Sequence, residues 1–121
     1  MGRKTNKVLS ANEEILEKIN DENKMLMDEF MEYLVTTDKS EKTRKVYKSN
    51  LNIIMCWLCE RARNKSFVDI TKRDLLNFQN FMVRNGLSSA RINNIRSTMS
   101  SLSNYIEMIL DDEYPDFRNI I

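Results

Sequence analysis

The side chains in this sequence most able to act as nucleophiles are four tyrosines, Tyr33, Tyr47, Tyr105 and Tyr114, and two cysteines, Cys56 and Cys59. A tyrosine nucleophile needs a neighbouring base, and cationic groups to steady the charge that develops. The sequence contains no histidine, which removes both the commonest general base and the commonest imidazole ligand. None of the tyrosines has an arginine-and-histidine constellation around it. Cys56-Trp57-Leu58-Cys59 has the C-x-x-C spacing of a redox pair or half a zinc site. It lies inside a helical pattern, however, with no second cysteine pair, no proline and no βαβ context. Its thiols are expected to be small buried or half-buried apolar groups, with Trp57 in the core or at a hairpin interface. The expectation is a chain with no catalytic residues, no metal and no cofactor of its own.

The cations have a stronger pattern. A net charge of +1 hides a segregation: residues 12–38 hold nine acidic groups against two basic ones, and residues 39–65 hold eight basic groups against two acidic ones. The basic block is Lys39, Lys42, Arg44, Lys45, Lys48, Arg61, Arg63 and Lys65. Such a block in an otherwise neutral chain reads either as one anion-binding surface or as a solvated helix face with counter-charges nearby.

The elements that must position these groups are helices. Two glycines and one proline in 121 residues leave almost nothing to build the tight turns of a many-stranded protein. The 41% apolar and 31% charged content fits one globular domain. No apolar run approaches the roughly 18 residues that span a bilayer, and no signal-peptide core follows Met1, so a cytoplasmic protein is expected. Residues 1–11 read as a basic flexible tail. Ser10-Ala11-Asn12-Glu13 has capping-box form before a short helix, and Leu26, Met27, Phe30, Tyr33 and Leu34 continue an apolar stripe to about Val35. Whether residues 12–35 form one bent helix or two stays open.

Ser40 is placed to cap the next helix, running to about Arg63. Along it Tyr47, Leu51, Ile54 and Leu58 fall within a sector of about 60°, with Lys42, Lys45 and Ser49 on the opposite side. Phe67-Val68-Asp69-Ile70 reads as an extended link. Thr71 with Asp74 has the form of a cap for a helix whose core stripe is Leu75, Phe78 and Met82, and Asn85-Gly86 is a left-handed stop. The last helix carries Ile92, Ile95, Met99, Leu102, Ile106 and Ile109 on one face. Its other side is small and polar, with Asn93, Asn94, Ser97, Ser100, Ser101 and Asn104. Asp111, Asp112 and Glu113 end it, and residues 114–121 read as the start of a linker.

Ser40-x-Lys42-Thr43-x-x-x-Tyr47-x-x-x-Leu51 followed by Trp57-Leu58 resembles the second helix of the core-binding domain in phage and transposon integrases, the tyrosine recombinases. Asp69-Ile70-Thr71-x-x-Asp74, Gly86-Leu87-Ser88 and Arg96-Ser97-Thr98-Met99-Ser100 follow in that family's order, so the likeness covers roughly residues 23–121. The resemblance implies an all-α, SAM-like fold: four helices plus a short N-terminal one, in an orthogonal bundle of two crossed helical hairpins over residues 12–113. It also implies half of a clamp around double-stranded attachment-site DNA. The other half would be a C-terminal catalytic domain of the same full-length chain, reached through the linker and working alongside other recombinase protomers on the DNA. No catalytic residue of that domain can be transferred to this sequence.

In the family the helix bearing the basic block lies along the DNA major groove. The resemblance therefore makes Lys42 and Lys45 the first candidates for phosphate or base-edge contact, with Arg44, Lys48 and Ser49 beside them. Thr43 is a further donor that sits half turned toward the core. Arg91, Asn94 and Ser97 are the candidates from the last helix, with Arg96 at its flank. Arg91 can equally lie over the edge of the core. The helix N-termini at Ser40 and Ser88 would add backbone donors for phosphate oxygens. The competing reading is a helical protein–protein interaction module that does not bind DNA.

Overall fold

Each helix begins at a residue able to accept from the backbone beyond it, and the computed structural model, which describes residues 12–121, shows these caps in place. The five α-helices are α1 (Glu13–Lys18), α2 (Asp21–Thr36), α3 (Glu41–Arg61), α4 (Lys72–Arg84) and α5 (Ser89–Ile109), and the described residues contain no strand. Asn12, Asn20, Ser40, Thr71 and Ser88 are the N-caps, each with its side-chain oxygen accepting a backbone N–H of the first turn. Thr71 and Asp74 form the reciprocal capping box that their spacing predicts. Ser10 and the expected basic tail of residues 1–11 lie outside the described residues. The first helix is capped by Asn12, not by the S-x-x-E pattern, because Glu13 stands at its first position and Asn12 accepts from Glu14 at 2.8 Å.

Residues 12–36 form two helices, with the break at Ile19 and Asn20, both in extended conformation. A partner from the far end of α3 holds this joint. Arg63 and Asn64 both adopt positive φ (57° and 54°), which carries Asn64 back across the break. There it donates to Lys18 O at 2.8 Å, and its own carbonyl accepts from the Asn20 side chain at 2.7 Å. Left-handed backbone costs an L-residue roughly 1–2 kcal/mol, and these hydrogen bonds offset it. Gly86, at φ +82°, supplies the turn between α4 and α5 where a side chain would be strained.

The segment expected to run extended is instead a single 3-10 turn, Phe67–Asp69. Its geometry follows from Asn23, a fully buried side chain of α2 that accepts from Phe67 N at 2.7 Å and donates to Lys65 O at 3.0 Å. Those two bonds curl the chain and drive Phe67 into the core, where it is 0% exposed.

Two helical hairpins result, α2–α3 and α4–α5. They are joined where α3 packs on α5, and α1 packs on α3. The core takes Leu26, Phe30 and Leu34 from α2, Leu51, Ile54 and Leu58 from α3, Phe78 and Met82 from α4, and Ile92, Ile95, Met99, Leu102 and Ile106 from α5. Each fully buried large side chain of this kind contributes about 1.5–3 kcal/mol. Four residues on the apolar stripes depart from full burial: Tyr33, Tyr47 and Leu75 are half-buried, and Ile109, the last residue of α5, is 49% exposed. Trp57 lies in the core against Phe78, ring centroids 5.0 Å apart, and the two cysteines are free, Cys56 buried and Cys59 half-buried. Burial pushes both thiols above their ordinary range, which makes them poorer nucleophiles.

Residues 114–121 fold back on the bundle. Tyr114 donates to Glu22 of α2 at 2.5 Å, Phe117 packs near Phe67, and the Asn119 side chain donates to Ser100 and Asn104 of α5. No helix among the described residues is long and apolar enough to cross a membrane.

Candidate nucleic-acid interface

The first two turns of α3 are laid out by their cap. Ser40 Oγ accepts from the Thr43 amide at 3.1 Å and donates to the Thr43 hydroxyl at 2.9 Å. Thr43 is thus half-buried and committed to the cap. Arg44 is tied down too, its guanidinium donating to Lys39 O at 2.8 Å across the entry to the helix. Lys42, Lys45, Lys48 and Ser49 are exposed. Lys45 pairs with Glu41 at 3.4 Å, but both side chains are more than 70% exposed, so water and salt screen the pair and leave Lys45 free to exchange partners. Lys42 and Ser49, seven residues apart, share one face along roughly 10 Å of helix.

On α5, Asn94 and Ser97 are exposed and Arg91 is half-buried. Arg91 does more than lie over the core edge. Its Nη1 donates to Asn50 Oδ1 at 2.7 Å and to Asn94 Oδ1 at 3.2 Å. Asn50, 0% exposed in the middle of α3, is the centre of this network: its amide donates to Asn94 Oδ1 and to the Thr98 hydroxyl, both at 2.9 Å. One turn earlier on α3, the Tyr47 and Ser101 hydroxyls meet at 3.3 Å. These pairings run in opposite chain directions, so α3 and α5 pack antiparallel across a polar seam.

That register decides which candidates meet. Asn50 and Tyr47 face α5 at Asn94, Thr98 and Ser101, while Ser49 lies about 100° around α3 from Asn50 and Lys48 about 160°, on the side away from α5. Lys42 lies eight residues before Asn50, roughly 12 Å along the axis, opposite the Ser101–Asn104 end of α5 and away from Arg91. On α3 the candidates Lys42, Lys45, Lys48 and Ser49 share an outer face of about 120°, and Asn94 and Ser97 are exposed on the neighbouring helix α5. Arg96 stands apart from them, since it donates to Gln79 of α4 at 3.1 Å. Asn50 and Thr98 escape sequence reasoning, because nothing in an asparagine or threonine at a helical position announces a partner 44 or 48 residues away.

The acidic block is kept off this surface. Apart from Asp38, exposed in the link before Ser40, its exposed carboxylates lie on α1 and α2, and α2 meets α3 through the apolar stripe opposite Lys42 and Lys45. Among the described residues no cluster of histidine, cysteine, aspartate and glutamate could hold a metal ion. Burial, and then the charge of Glu29, raises the Tyr105 hydroxyl's pKa, while burial and the bond to Glu22 raise that of Tyr114.

Residues 26–116 match the family model of the phage integrase N-terminal SAM-like domain. The SPbeta prophage-derived recombinase-like protein YomM of Bacillus subtilis (strain 168) is 34% identical over 116 residues, which cover 93% of this chain and 34% of that protein. The chain thus spans about a third of the length of this curated relative. No solved structure matches it. With a family model covering most of its helices in register, and a recombinase-like relative aligned over nearly its whole length, the chain belongs to the phage integrase N-terminal SAM-like domain family.

Proposed function

We propose that this chain is a core-binding module for double-stranded DNA in a site-specific tyrosine recombinase, and that the outer face of the first half of α3 lies along the major groove. The observation that carries the reading is that outer face itself. Lys42, Lys45, Lys48 and Ser49 are exposed on a helix whose reverse side is core, and Asn94 and Ser97 are exposed on α5, which packs against the same helix. A helix of this diameter fits a groove about 12 Å wide. Lysines on such a face neutralise phosphates, while Ser49, Asn94 and Ser97 offer short donors and acceptors for the backbone or base edges. Arg91 acts by holding Asn94 in place and by adding charge at the seam.

In this reading the cutting and rejoining of DNA at an attachment site belong to a separate C-terminal domain of a longer protein, and this module positions the DNA for it. Residues 114–121 lead toward that domain, and their contacts with α2 and α5 set the direction of exit. Other protomers on the same DNA are the remaining partners, and a cytoplasmic location follows from them. The acidic face of α2 points elsewhere and takes no part in DNA contact.

The test is a titration of the purified chain with duplex DNA at low salt, followed by backbone amide shifts. Perturbations concentrated in residues 40–49 and 88–97 are expected. Shifts that map to α1 and α2, or a chain that binds acidic proteins and ignores duplex DNA, would leave the protein–protein module as the better description.

A further inference from the structure

Asn94 is exposed on α5, and the two corners of its carboxamide differ in what they can offer a ligand, an acceptor oxygen or a donor nitrogen. Which corner faces outward is set from inside the molecule, by a run of hydrogen bonds that begins at Arg91. A guanidinium only donates, so the atom of Asn50 that meets Arg91 Nη1 at 2.7 Å is its oxygen. The Asn50 nitrogen is thereby turned to α5. Its protons go to Asn94 Oδ1 and to the Thr98 hydroxyl, both at 2.9 Å.

Arg91 Nη1 also donates to Asn94 Oδ1, at 3.2 Å. Two donors therefore fill both lone pairs of that oxygen. Turning the carboxamide over would set its N–H groups against the Asn50 N–H and the guanidinium. Asn50 and Thr98 are each 0% exposed, so water cannot repair the mismatch, and a buried donor would be left unpaired. Asn94 Nδ2, on the outward corner, has no hydrogen-bond partner among the described residues.

We infer that Asn94 is preset as a donor-only contact, with Asn50 as its positioning residue: Asn94 Nδ2 donates to a hydrogen-bond acceptor on duplex DNA, and Asn94 accepts nothing in return. The inference rests on the DNA reading above and narrows it. The acceptors on offer are phosphate oxygens and, in the major groove, purine N7, guanine O6 and thymine O4. The amino groups of cytosine and adenine are refused, because they need an acceptor and none is free. The two-point contact by which asparagine singles out adenine, giving one bond and taking one, is closed to Asn94.

The test follows the side-chain carboxamide resonances of the purified chain, with and without duplex DNA at low salt. In the free chain the Asn50 Nδ2 protons should exchange slowly with water and those of Asn94 fast. With DNA the Asn94 Nδ2 resonances should shift together with the backbone amides of residues 40–49. Slow exchange at Asn94 in the free chain overturns the inference, and so does a response in residues 40–49 that leaves the Asn94 carboxamide unmoved. If residues 40–49 do not respond at all, the DNA reading itself fails and this inference falls with it.

Two variants then test the polarity. Asn94→Ala removes the donor and should weaken duplex binding about tenfold. A loss equal for duplexes of every sequence identifies a phosphate oxygen as the acceptor, a loss confined to particular sequences identifies a base edge, and an unchanged affinity overturns the inference. Asn50→Asp keeps an oxygen for Arg91 but turns a second one toward Asn94, which must then rotate its nitrogen inward and expose Oδ1. The Asn94 Nδ2 protons should become protected from exchange, and duplex affinity should fall while the backbone amide pattern of α5 persists. A folded Asn50→Asp chain that binds DNA as the parent does overturns the inference. Should that variant fail to fold, the exchange rates of the parent and the affinity of Asn94→Ala decide.

Discussion

Replacing Asn50 with alanine should be among the most damaging polar changes in the molecule, although Asn50 touches no solvent and no expected ligand. The side chain donates to Asn94 and Thr98 and accepts from Arg91. Each buried polar group left without a partner costs about 1–3 kcal/mol, and hydrogen bonds to a charged group sit at the upper end. Not all of that is lost here. Asn94 is exposed and can turn to water, and Thr98 keeps a long bond to the Asn94 carbonyl at 3.4 Å. Adding the cavity left by the carboxamide, the net loss comes to about 2–3 kcal/mol. In urea followed by circular dichroism this moves the midpoint down by about 1–2 M, for the m-values of chains this size. Arg91→Ala removes the other end of the charged bond, so the double variant should lose less than the sum of the singles by about 1 kcal/mol or more. An Asn50→Ala chain within about 0.5 kcal/mol of the parent, or single effects that simply add, would refute the coupling of α3 to α5 through this network.

Three further outcomes follow from particular contacts. Burial opposes the charge of Asp74, but bonds from Lys65 and from the Thr71 amide and hydroxyl outweigh it and hold its carboxyl below the ordinary value. Its contribution to stability is therefore full above an unfolded value of about 4 and is lost as pH falls through the lower folded one. The stability gap between the parent and Asp74→Asn should narrow below about pH 4, and a gap that stays constant or widens contradicts this. Gly86→Ala should cost roughly 1–2 kcal/mol in thermal unfolding, because φ is +82° while no atom lies within 4 Å of an added Cβ; a neutral change would mean the turn relaxes. The purified chain should show no DNA nicking or topoisomerase activity. Nicking that persists through purification and disappears on changing one tyrosine to phenylalanine would place a nucleophile here after all.

Much of the architecture was legible because helix caps and stripes are local signals. Ser40, Thr71, Asn85-Gly86 and Ser88 mark boundaries within a residue or two of those observed, and the stripe on α5 identified five buried side chains before failing at Ile109. What could not be read depends on partners distant in sequence. Asn64 settles the break between α1 and α2, Asn23 curls the Phe67 segment into a 3-10 turn, and Asn50 buries itself against α5. Asparagine is common in loops and on helix surfaces, and its composition and spacing look the same whether it faces water or a backbone 44 residues away. The candidate interface was legible as a list of cations on one helix face. Its register against α5, which sets Lys42 and Arg91 far apart, was not.

The central claim, that the exposed face of α3 grips DNA, is tested most directly by the salt dependence of duplex binding in the parent and in a Lys42→Ala/Lys45→Ala variant. Both lysines are exposed and lie opposite the core stripe, so the variant should keep the parent's unfolding midpoint. If each lysine neutralises one phosphate, the slope of log affinity against log salt should become shallower by about two units, with weaker binding at every salt concentration. Binding by the parent is expected to be modest if, as proposed, the chain is half of a clamp, since it then lacks the effective concentration that a linked second half supplies. A variant that binds as tightly as the parent with an unchanged slope would contradict the account and move the DNA to another face.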